Sequence, residues 1–215
     1  MAGYDVLQLA GDVSDYQFCE AMVEQTIGHF GRLDILVNNA GGGFRGDFEN
    51  TDPEVFKKVI DANLMTSIYC TRAAMALIKE ARGSIIFISS LSGIRGLPAN
   101  GPYCIAKMGL TALAETLKLE LHGLGVHIGL VMVGLTDFDE EKRVVGADGT
   151  LIPISRKSHQ TREQVAKIVI RIIRKRKFRV VLTPLGKLNY FLQKISPSLV
   201  EWILIKSAST EAYNK

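Results

Sequence analysis

The sequence predicts an α/β fold, an open, doubly wound parallel sheet of the Rossmann-like type with helices on both faces. Short apolar runs alternate with amphipathic segments along the chain, which is the order of elements in βαβ units. Polar and glycine residues follow several of these runs, and parallel sheets bind ligands at the carboxyl ends of their strands. We expect one domain over residues 1–215, with 183–215 as an amphipathic C-terminal tail.

The individual elements follow from hydrophobic periodicity and from start and stop signals. Five apolar runs predict strands, at 5–10, 33–37, 84–89, 126–133 and 178–182. Amphipathic segments predict helices at about 15–30, 52–80, 102–122 and 161–175, and two short helices in the tail around Pro197. The first helix begins at Ser14 or Asp15, and the second, continuous or with one break, begins with Pro53. Residues 134–159 are irregular and polar, and a connection of this length is often a lid over a site.

Charge limits the classes of partner. The chain has a net charge of +4, and this mild excess gives little support for nucleic acid, so no nucleic-acid partner is expected. Several cations cluster between Arg171 and Arg179. The cluster is either the solvated end of a helix, where cations suit the helix dipole, or a contact for an anionic membrane or partner.

The cysteines and histidines predict neither a disulfide framework nor a metal site. Cys19, Cys70 and Cys104 have no paired spacing, which favours reduced thiols and a cytoplasmic location. The four histidines form no ligand pattern, so no metal is expected. The first residues have neither the basic start nor the apolar run of a signal peptide, and no stretch approaches the roughly 20 apolar residues of a spanning helix.

Candidate catalytic side chains surround the third apolar run. Ser90 ends this run, and Tyr103 and Lys107 follow on the next helix, where their spacing places them on one face about one turn apart. A hydroxyl, a phenol and an ammonium at a strand end are suited to proton transfer to or from an alcohol or carbonyl. Each has an ordinary explanation alone, a cap for Ser90 and a surface pair for the other two, so the inference depends on the set.

The ordered set of motifs resembles the short-chain dehydrogenase/reductase family, nicotinamide enzymes built on a Rossmann sheet. The matching features follow one another at family spacing: Asp12-Val13, Asn38-Asn39-Ala40-Gly41, Asn63, Ser90, Tyr103-x-x-x-Lys107 and Gly134. A tyrosine and a lysine four residues apart are common by chance, whereas the whole set is specific. The resemblance extends over essentially the whole chain, most firmly over residues 5–136.

The resemblance implies a role for each matching residue. Tyr103 would be the general acid/base, and because a free phenol has a pKa of about 10, Lys107 would supply the charge that favours its phenolate. Ser90 would hold the substrate oxygen, and Asn63 would keep a water in a proton relay behind the lysine. The implied cofactor contacts are Asp12 and Val13 at the adenine, Asn38, Ala40 and Gly41 at the adenosine ribose, Tyr103 and Lys107 near the nicotinamide ribose, and Gly134 and Thr136 at the nicotinamide.

One family motif does not occur in the sequence, the glycine-rich turn T-G-x-x-x-G-x-G that cradles the pyrophosphate of the cofactor. Residue 5 already corresponds to the third family strand, so we expect the sheet to lack its first βαβ unit. The runs 5–10 and 33–37 are then expected to be partly unpaired and exposed. The residues that select NAD or NADP belong to the same missing unit, so either cofactor is compatible with the sequence.

The expected function is an NAD(P)-dependent oxidoreduction that interconverts an alcohol and a ketone or aldehyde by hydride transfer. The alternative is a catalytically impaired fragment or a non-enzymatic binding paralogue, which the missing glycine-rich turn favours. The apolar tail and polar lid suggest a hydrophobic small-molecule substrate, and residues 185–205 either pack on the body or contact a membrane peripherally. The resemblance also implies a homodimer or homotetramer, formed through the helices at 52–80 and 102–122.

Overall fold

The computed structural model describes residues 3–137, 142–154, 158 and 160–213, with the backbone alone for 208–213. Its helices are α1 Tyr16–Phe30, α2 Pro53–Ile60, α3 Thr66–Glu80, α4 Gly101–Glu120, α5 Arg162–Lys175, α6 Pro184–Ile195 and α7 Pro197–Tyr213. Its strands are β1 Ile35–Asn38, β2 Phe44–Arg45, β3 Ser84–Ser90, β4 His127–Val133, β5 Arg143–Gly146, β6 Leu151–Pro153 and β7 Arg179–Val181.

Four strands form a parallel sheet in the order β1, β3, β4, β7. The register places Asn38 opposite Phe87 and Ser90 opposite Val133. Because all the pairs are parallel, their carboxyl ends lie at one edge of the sheet, where Gly134 follows β4. Helices flank this sheet, which confirms the predicted α/β, Rossmann-like class.

The two faces of β3 contact different helices, as the two-residue period of a strand requires. Phe87 packs with Ile78 of α3 and Leu110 of α4 in the larger hydrophobic cluster. Ile86 packs on the opposite face with Ile172 of α5. Both faces are therefore covered, and β3 is apolar almost throughout for that reason.

A second sheet of three short strands occupies part of the segment that was predicted to be irregular. β5 and β6 form an antiparallel hairpin, and β2 joins β5 in parallel. The carboxylate of Asp148 accepts hydrogen bonds from the amide and hydroxyl of Thr150 at 3.0 and 2.7 Å, and Gly149 has a φ of 85°. An aspartate-glycine turn between β-branched residues is itself a hairpin signal. The prediction for 134–159 is thus wrong at β5 and β6, and its residues 138–141, 155–157 and 159 lie outside the described residues.

The strand predicted at 5–10 does not form. Residues 5–10 pair with no strand in the part of the chain that the structure describes, and Val6 is 67% exposed. Backbone groups of a strand need a neighbouring strand as partner, and over the described residues β1 is an edge of the parallel sheet. Ile35 and Val37 of β1 are 44% and 40% exposed. The predicted exposure of this strand is therefore confirmed, and the helices predicted on both faces of the sheet leave these two side chains uncovered.

The predicted start and stop residues of the helices lie at the helix ends. Asp15 caps α1 by accepting a hydrogen bond from the amide of Gln17 at 2.9 Å, and Gly31 ends the helix at a φ of 73°. Pro53 is the first residue of α2. A π-helical turn, Asp61–Met65, separates α2 from α3, so the long helix is the broken one of the two alternatives. Such turns are frequent at functional sites.

The C-terminal tail forms two helices, as predicted, although α7 is longer than expected. The tail is bonded to the loop that follows β3. Arg95 of this loop donates to Oε1 of Gln193 at 3.2 Å and to the carbonyl of Pro197 at 3.5 Å. Neither of these helices, nor any other in the described part of the chain, combines the length and apolar character needed to cross a membrane.

Candidate active site

A cavity of about 440 Å³ lies at the carboxyl edge of the parallel sheet, and we call it the polar cavity. All four predicted catalytic residues and several predicted cofactor residues contribute to its wall. The predicted residues that line it are Gly41, Asn63, Ser90, Tyr103, Lys107, Gly134 and Thr136. Segments far apart in the sequence thus converge on one space, because the carboxyl ends of parallel strands meet at one edge.

The end of β3 places Ser90 at this cavity. Its backbone is extended, and its hydroxyl oxygen accepts a hydrogen bond from the amide of Ser92 at 3.2 Å, which starts the short turn Leu91–Gly93. A hydroxyl has one proton to donate besides the lone pairs with which it accepts. Ser90 is half-buried, so this proton is positioned to reach an oxygen atom of a bound molecule.

Tyr103 and Lys107 occupy neighbouring turns of α4. The Tyr103 ring packs against Phe44 and Val55. Lys107 is 5% exposed, and its Nζ donates to the carbonyl of Ile88 at 3.3 Å. Burial lowers the pKa of Lys107 to about 8, so the ammonium remains the main form at neutral pH. Its Nζ lies over the Tyr103 ring.

Close packing fixes α4 against the turn that follows Ser90. A Cβ at Gly93 would lie 2.8 Å from both the carbonyl oxygen of Lys107 and Oγ of Ser89, so only glycine permits this approach. The Ser89 hydroxyl donates to the Lys107 carbonyl at 3.2 Å, and Thr111 donates to the Gly93 carbonyl at 3.4 Å. The same close packing therefore positions both Lys107 and Ser90.

Asn63 enters the polar cavity from the π-helical turn. It is 2% exposed, its Nδ2 donates to the carbonyl of Val59 at 3.0 Å, and its Oδ1 accepts from the amide of Gly42 at 3.2 Å. A Cβ at Gly41 would lie 2.5 Å from Oδ1 of Asn63 and 3.6 Å from Nζ of Lys107. Glycine at this position keeps open a corner in which a ligand can approach the amide and the ammonium together.

Gly134 and Thr136 form the wall that follows β4. The Thr136 hydroxyl donates to the Gly134 carbonyl at 3.3 Å and accepts from Nε2 of Gln160 at 2.8 Å. A Cβ at Gly134 would lie 2.8 Å from Cγ2 of Thr183. Gln160 is buried and was not predicted, because a glutamine in a polar segment gives no sequence signal of its own.

The remaining predicted cofactor residues do not line the polar cavity; they are Asp12, Val13, Asn38 and Ala40. Asn38 donates from Nδ2 to Oγ1 of Thr71 at 2.9 Å, which ties β1 to α3. Asp12 is exposed, and hydrogen bonds from the hydroxyl and amide of Ser14 lower the pKa of its carboxyl. The predicted adenosine contacts of these residues stay predictions.

Sequence reasoning missed several residues of the polar cavity. Asn39 and Asn100 line it, as do Val144 and Ile154 from the region of the second sheet. Oδ1 of Asn100 is buried and has no hydrogen-bond partner among the described residues, so it can accept a hydrogen bond from a ligand. Its position directly before α4 is a helix-cap signal, yet its side chain makes no cap bond.

The arrangement as a whole is suited to proton transfer to an oxygen atom. It combines a hydroxyl donor, a phenol and a buried ammonium, with amide groups that can bind a ligand or a water. Within the described ranges, no group of three or more histidine, cysteine, aspartate or glutamate side chains is placed to hold a metal ion.

Residues 1–147 match the family model described as short chain dehydrogenase. The match covers more than half of the chain, and the chain therefore belongs to the short-chain dehydrogenase/reductase family, as its motifs predicted. It is 36% identical over 171 residues to 3-dehydrosphinganine reductase of Danio rerio, an alignment that covers 77% of this chain and 51% of the relative. Other curated relatives are longer too, and the chain spans between 44% and 65% of their length.

Solved structures share this fold. A short-chain dehydrogenase/reductase from Burkholderia phymatum in complex with NAD superposes with a TM-score of 0.80 and 20% identity, over 92% of this chain and 78% of that one. The protein ElxO with NADP bound gives a TM-score of 0.57 and 30% identity, over 59% of this chain and 52% of that one.

Proposed function

We propose that this chain interconverts an alcohol and a ketone or aldehyde, with NAD or NADP as cofactor and Tyr103 as the general acid/base. The observation that carries the proposal is the meeting of Asn63, Ser90, Tyr103 and Lys107 at one cavity. Chance helical pairs of tyrosine and lysine lie on solvated surfaces, whereas this lysine is buried and its Nζ lies over the Tyr103 ring.

Each side chain has a defined task in the reduction of a carbonyl. Ser90 donates a hydrogen bond to the carbonyl oxygen and orients it. Tyr103 transfers its phenolic proton to the same oxygen as the alcohol forms, and the reverse transfer serves oxidation. Lys107 stabilises the resulting phenolate by its charge. Asn63 holds a water behind Lys107 through which the proton is replaced.

The polar cavity fits the nicotinamide end of the cofactor. The corner kept open by Gly41 lets a ribose hydroxyl approach Asn63 and Lys107, while Gly134 and Thr136 offer backbone and hydroxyl groups to the carboxamide. When bound at these residues, the dinucleotide would supply or accept the hydride. ElxO, the similar structure with NADP bound, supports this class of cofactor. Asp12, Val13, Asn38 and Ala40 are assigned to the adenosine half through the family resemblance.

The test is an absorbance assay at the nicotinamide band with NADH and with NADPH, against a panel of ketones and aldehydes. Tyr103→Phe is the matched variant, because phenylalanine keeps the ring packed on Phe44 and Val55. We expect wild-type turnover and a loss of about 10²-fold or more in the variant, with unchanged melting temperature. Equal turnover by both proteins would remove Tyr103 from the mechanism.

A second candidate function is that of a catalytically impaired or non-enzymatic binding chain. The observation in its favour is the unpaired edge β1, beside residues 5–10 that form no strand. Titration of NADPH and NADH into the purified chain separates the two candidates. Sub-micromolar binding supports the enzyme, whereas a folded chain without measurable binding supports the second function.

We also propose that the tail rests on an anionic membrane surface. Four large apolar residues of α6 form one exposed helical stripe, Leu185, Leu188, Phe191 and Ile195. Lys187 and Lys194 of the same helix can contact anionic headgroups beside this stripe. Flotation with anionic and with neutral vesicles tests the contact, and a chain that stays in the aqueous fraction with both would contradict it.

Self-association is proposed through the helical layer of α2, α3 and α4, giving a homodimer or homotetramer. Ile105, Met108 and Leu119 of α4 are 52%, 43% and 74% exposed, which is unusual apolar exposure for one helix face. Light scattering coupled to size exclusion measures the assembly, with Met108→Lys as the interface variant. A monomeric wild-type chain would contradict this proposal.

A further inference from the structure

A second cavity lies beside the polar cavity, between the end of β7, α5 and the start of α6, and we call it the apolar cavity. Its volume is about 720 Å³, within the range of pockets that bury a small organic ligand. Its walls are mainly aliphatic, with one cation at the rim. The residues that matter here are Leu91, Leu135, Ile168, Leu182, Leu185 and Lys167.

The two cavities share a wall. Leu91 and Leu135 line both of them. Leu91 directly follows Ser90, and Leu135 directly follows Gly134. A molecule whose reacting carbon lies beside the Ser90 hydroxyl therefore has the apolar cavity within reach for the remainder of its structure.

We propose that the apolar cavity binds the hydrocarbon part of a lipid-like alcohol or ketone, an alkyl chain or a fused ring system. The inference rests on the proposed function for the reacting end of this molecule. The polar cavity also has to take the nicotinamide end of the cofactor, so a large hydrocarbon group needs the second space. Each methylene buried there raises the affinity about threefold to fourfold.

The mouth of the apolar cavity adjoins the exposed stripe of α6. Leu185, which is 71% exposed, belongs both to the cavity rim and to this stripe. The exposed apolar stripe therefore continues to the rim of the cavity. Lys167, which is exposed at the same rim, offers its charge to an anionic end group.

The experiment measures binding apart from turnover. The fluorescent fatty acid cis-parinaric acid is bound to the full chain and displaced by 2-alkanones from hexanone to tetradecanone, and by a steroid ketone. We expect affinity to rise about threefold per methylene until the cavity is filled. A series of equal affinities, or a chain that binds no probe, would overturn the proposal. Stronger displacement by the steroid than by any alkanone assigns the cavity to fused rings, and the converse to alkyl chains.

Two pairs of variants locate the binding. Ile168→Trp fills the cavity from α5, and Ile170→Trp is its control, because Ile170 is 49% exposed on the same helix and does not line the cavity. Leu185→Glu charges the rim without disturbing a buried side chain, with Leu188→Glu as its control on the same stripe. We expect each test variant, and neither control, to weaken tetradecanone binding about tenfold. If neither Leu185→Glu nor Ile168→Trp weakens tetradecanone binding, the proposal is overturned.

Failure of the inference and failure of the proposed function give different results. Turnover of hexanone without dependence on chain length overturns the apolar cavity and leaves the proposed function standing. Binding that depends on chain length, without turnover of any alkanone, overturns the proposed oxidoreductase activity on these ketones and supports the apolar cavity as a lipid site.

Discussion

Nζ of Lys107 lies 5.5 Å from the centre of the Tyr103 ring, one helical turn away on α4. Burial lowers the pKa of this lysine to about 8, which means that the folded protein holds an ammonium in a place that disfavours it. In the proposed mechanism this charge stabilises the Tyr103 phenolate, whereas burial of the ammonium opposes folding. The proposed function and the stability therefore compete at this one residue.

Lys107→Met is expected to abolish turnover and to stabilise the fold. The change in pKa from 10.5 to about 8 corresponds to about 3 kcal/mol, from which the lost hydrogen bond to Ile88 removes about 1 kcal/mol. We expect the free energy of unfolding at pH 7 to rise by about 2 kcal/mol in urea denaturation. Lys79→Met, an exposed lysine of α3, serves as control and should change little. A Lys107→Met variant less stable than wild type would contradict the lowered pKa of Lys107.

The same lysine predicts how wild-type stability depends on pH. Between pH 8 and 10.5 the unfolded chain keeps the proton on Lys107 while the folded chain has lost it, so stability rises with pH across this window. Below pH 8 both states are protonated and the destabilisation is constant. The advantage of Lys107→Met should therefore shrink as the pH is raised from 8 to 10.5. An advantage that is constant over this window would show that the pKa is not lowered.

The place of the polar cavity could be predicted from the sequence because each parallel strand contributes to it in the same way, through the residues at its carboxyl end. Parallel strands deliver their carboxyl ends to one edge, so Ser90, Gly134 and the residues after β1 had to meet there. It did not identify Gln160 or Asn100, whose position depends on how loops pack. The strand at 5–10 failed for a related reason: strand formation depends on a partner strand, which the local pattern does not reveal. Asn38 shows a third limit, since its amide bonds Thr71, a partner that no spacing predicts.

Gly41→Ala is expected to damage the site more than the fold. The new methyl group would lie 2.5 Å from Oδ1 of Asn63, so the Asn63 amide must shift and its hydrogen bond from the Gly42 amide is disturbed. We expect cofactor affinity to fall about tenfold or more, with a loss of about 1 kcal/mol in the free energy of unfolding. Fluorescence titration with NADPH and urea denaturation measure the two effects. Gly96→Ala, with open space around the new methyl, is the control, and equal affinities in the two variants would contradict the packing argument.

The exposed edge strand predicts self-association of a less specific kind. β1 presents Ile35 and Val37 to solvent beside backbone groups that pair with no strand in the described part of the chain, and such edges promote aggregation. Ile35→Lys places a charge on this edge, and we expect it to lower light scattering of concentrated samples several-fold without loss of stability. Ile170→Lys, at an equally exposed position on α5, should leave the scattering unchanged. Equal scattering by wild type and Ile35→Lys would mean that the chain associates through another surface, such as the face of α4.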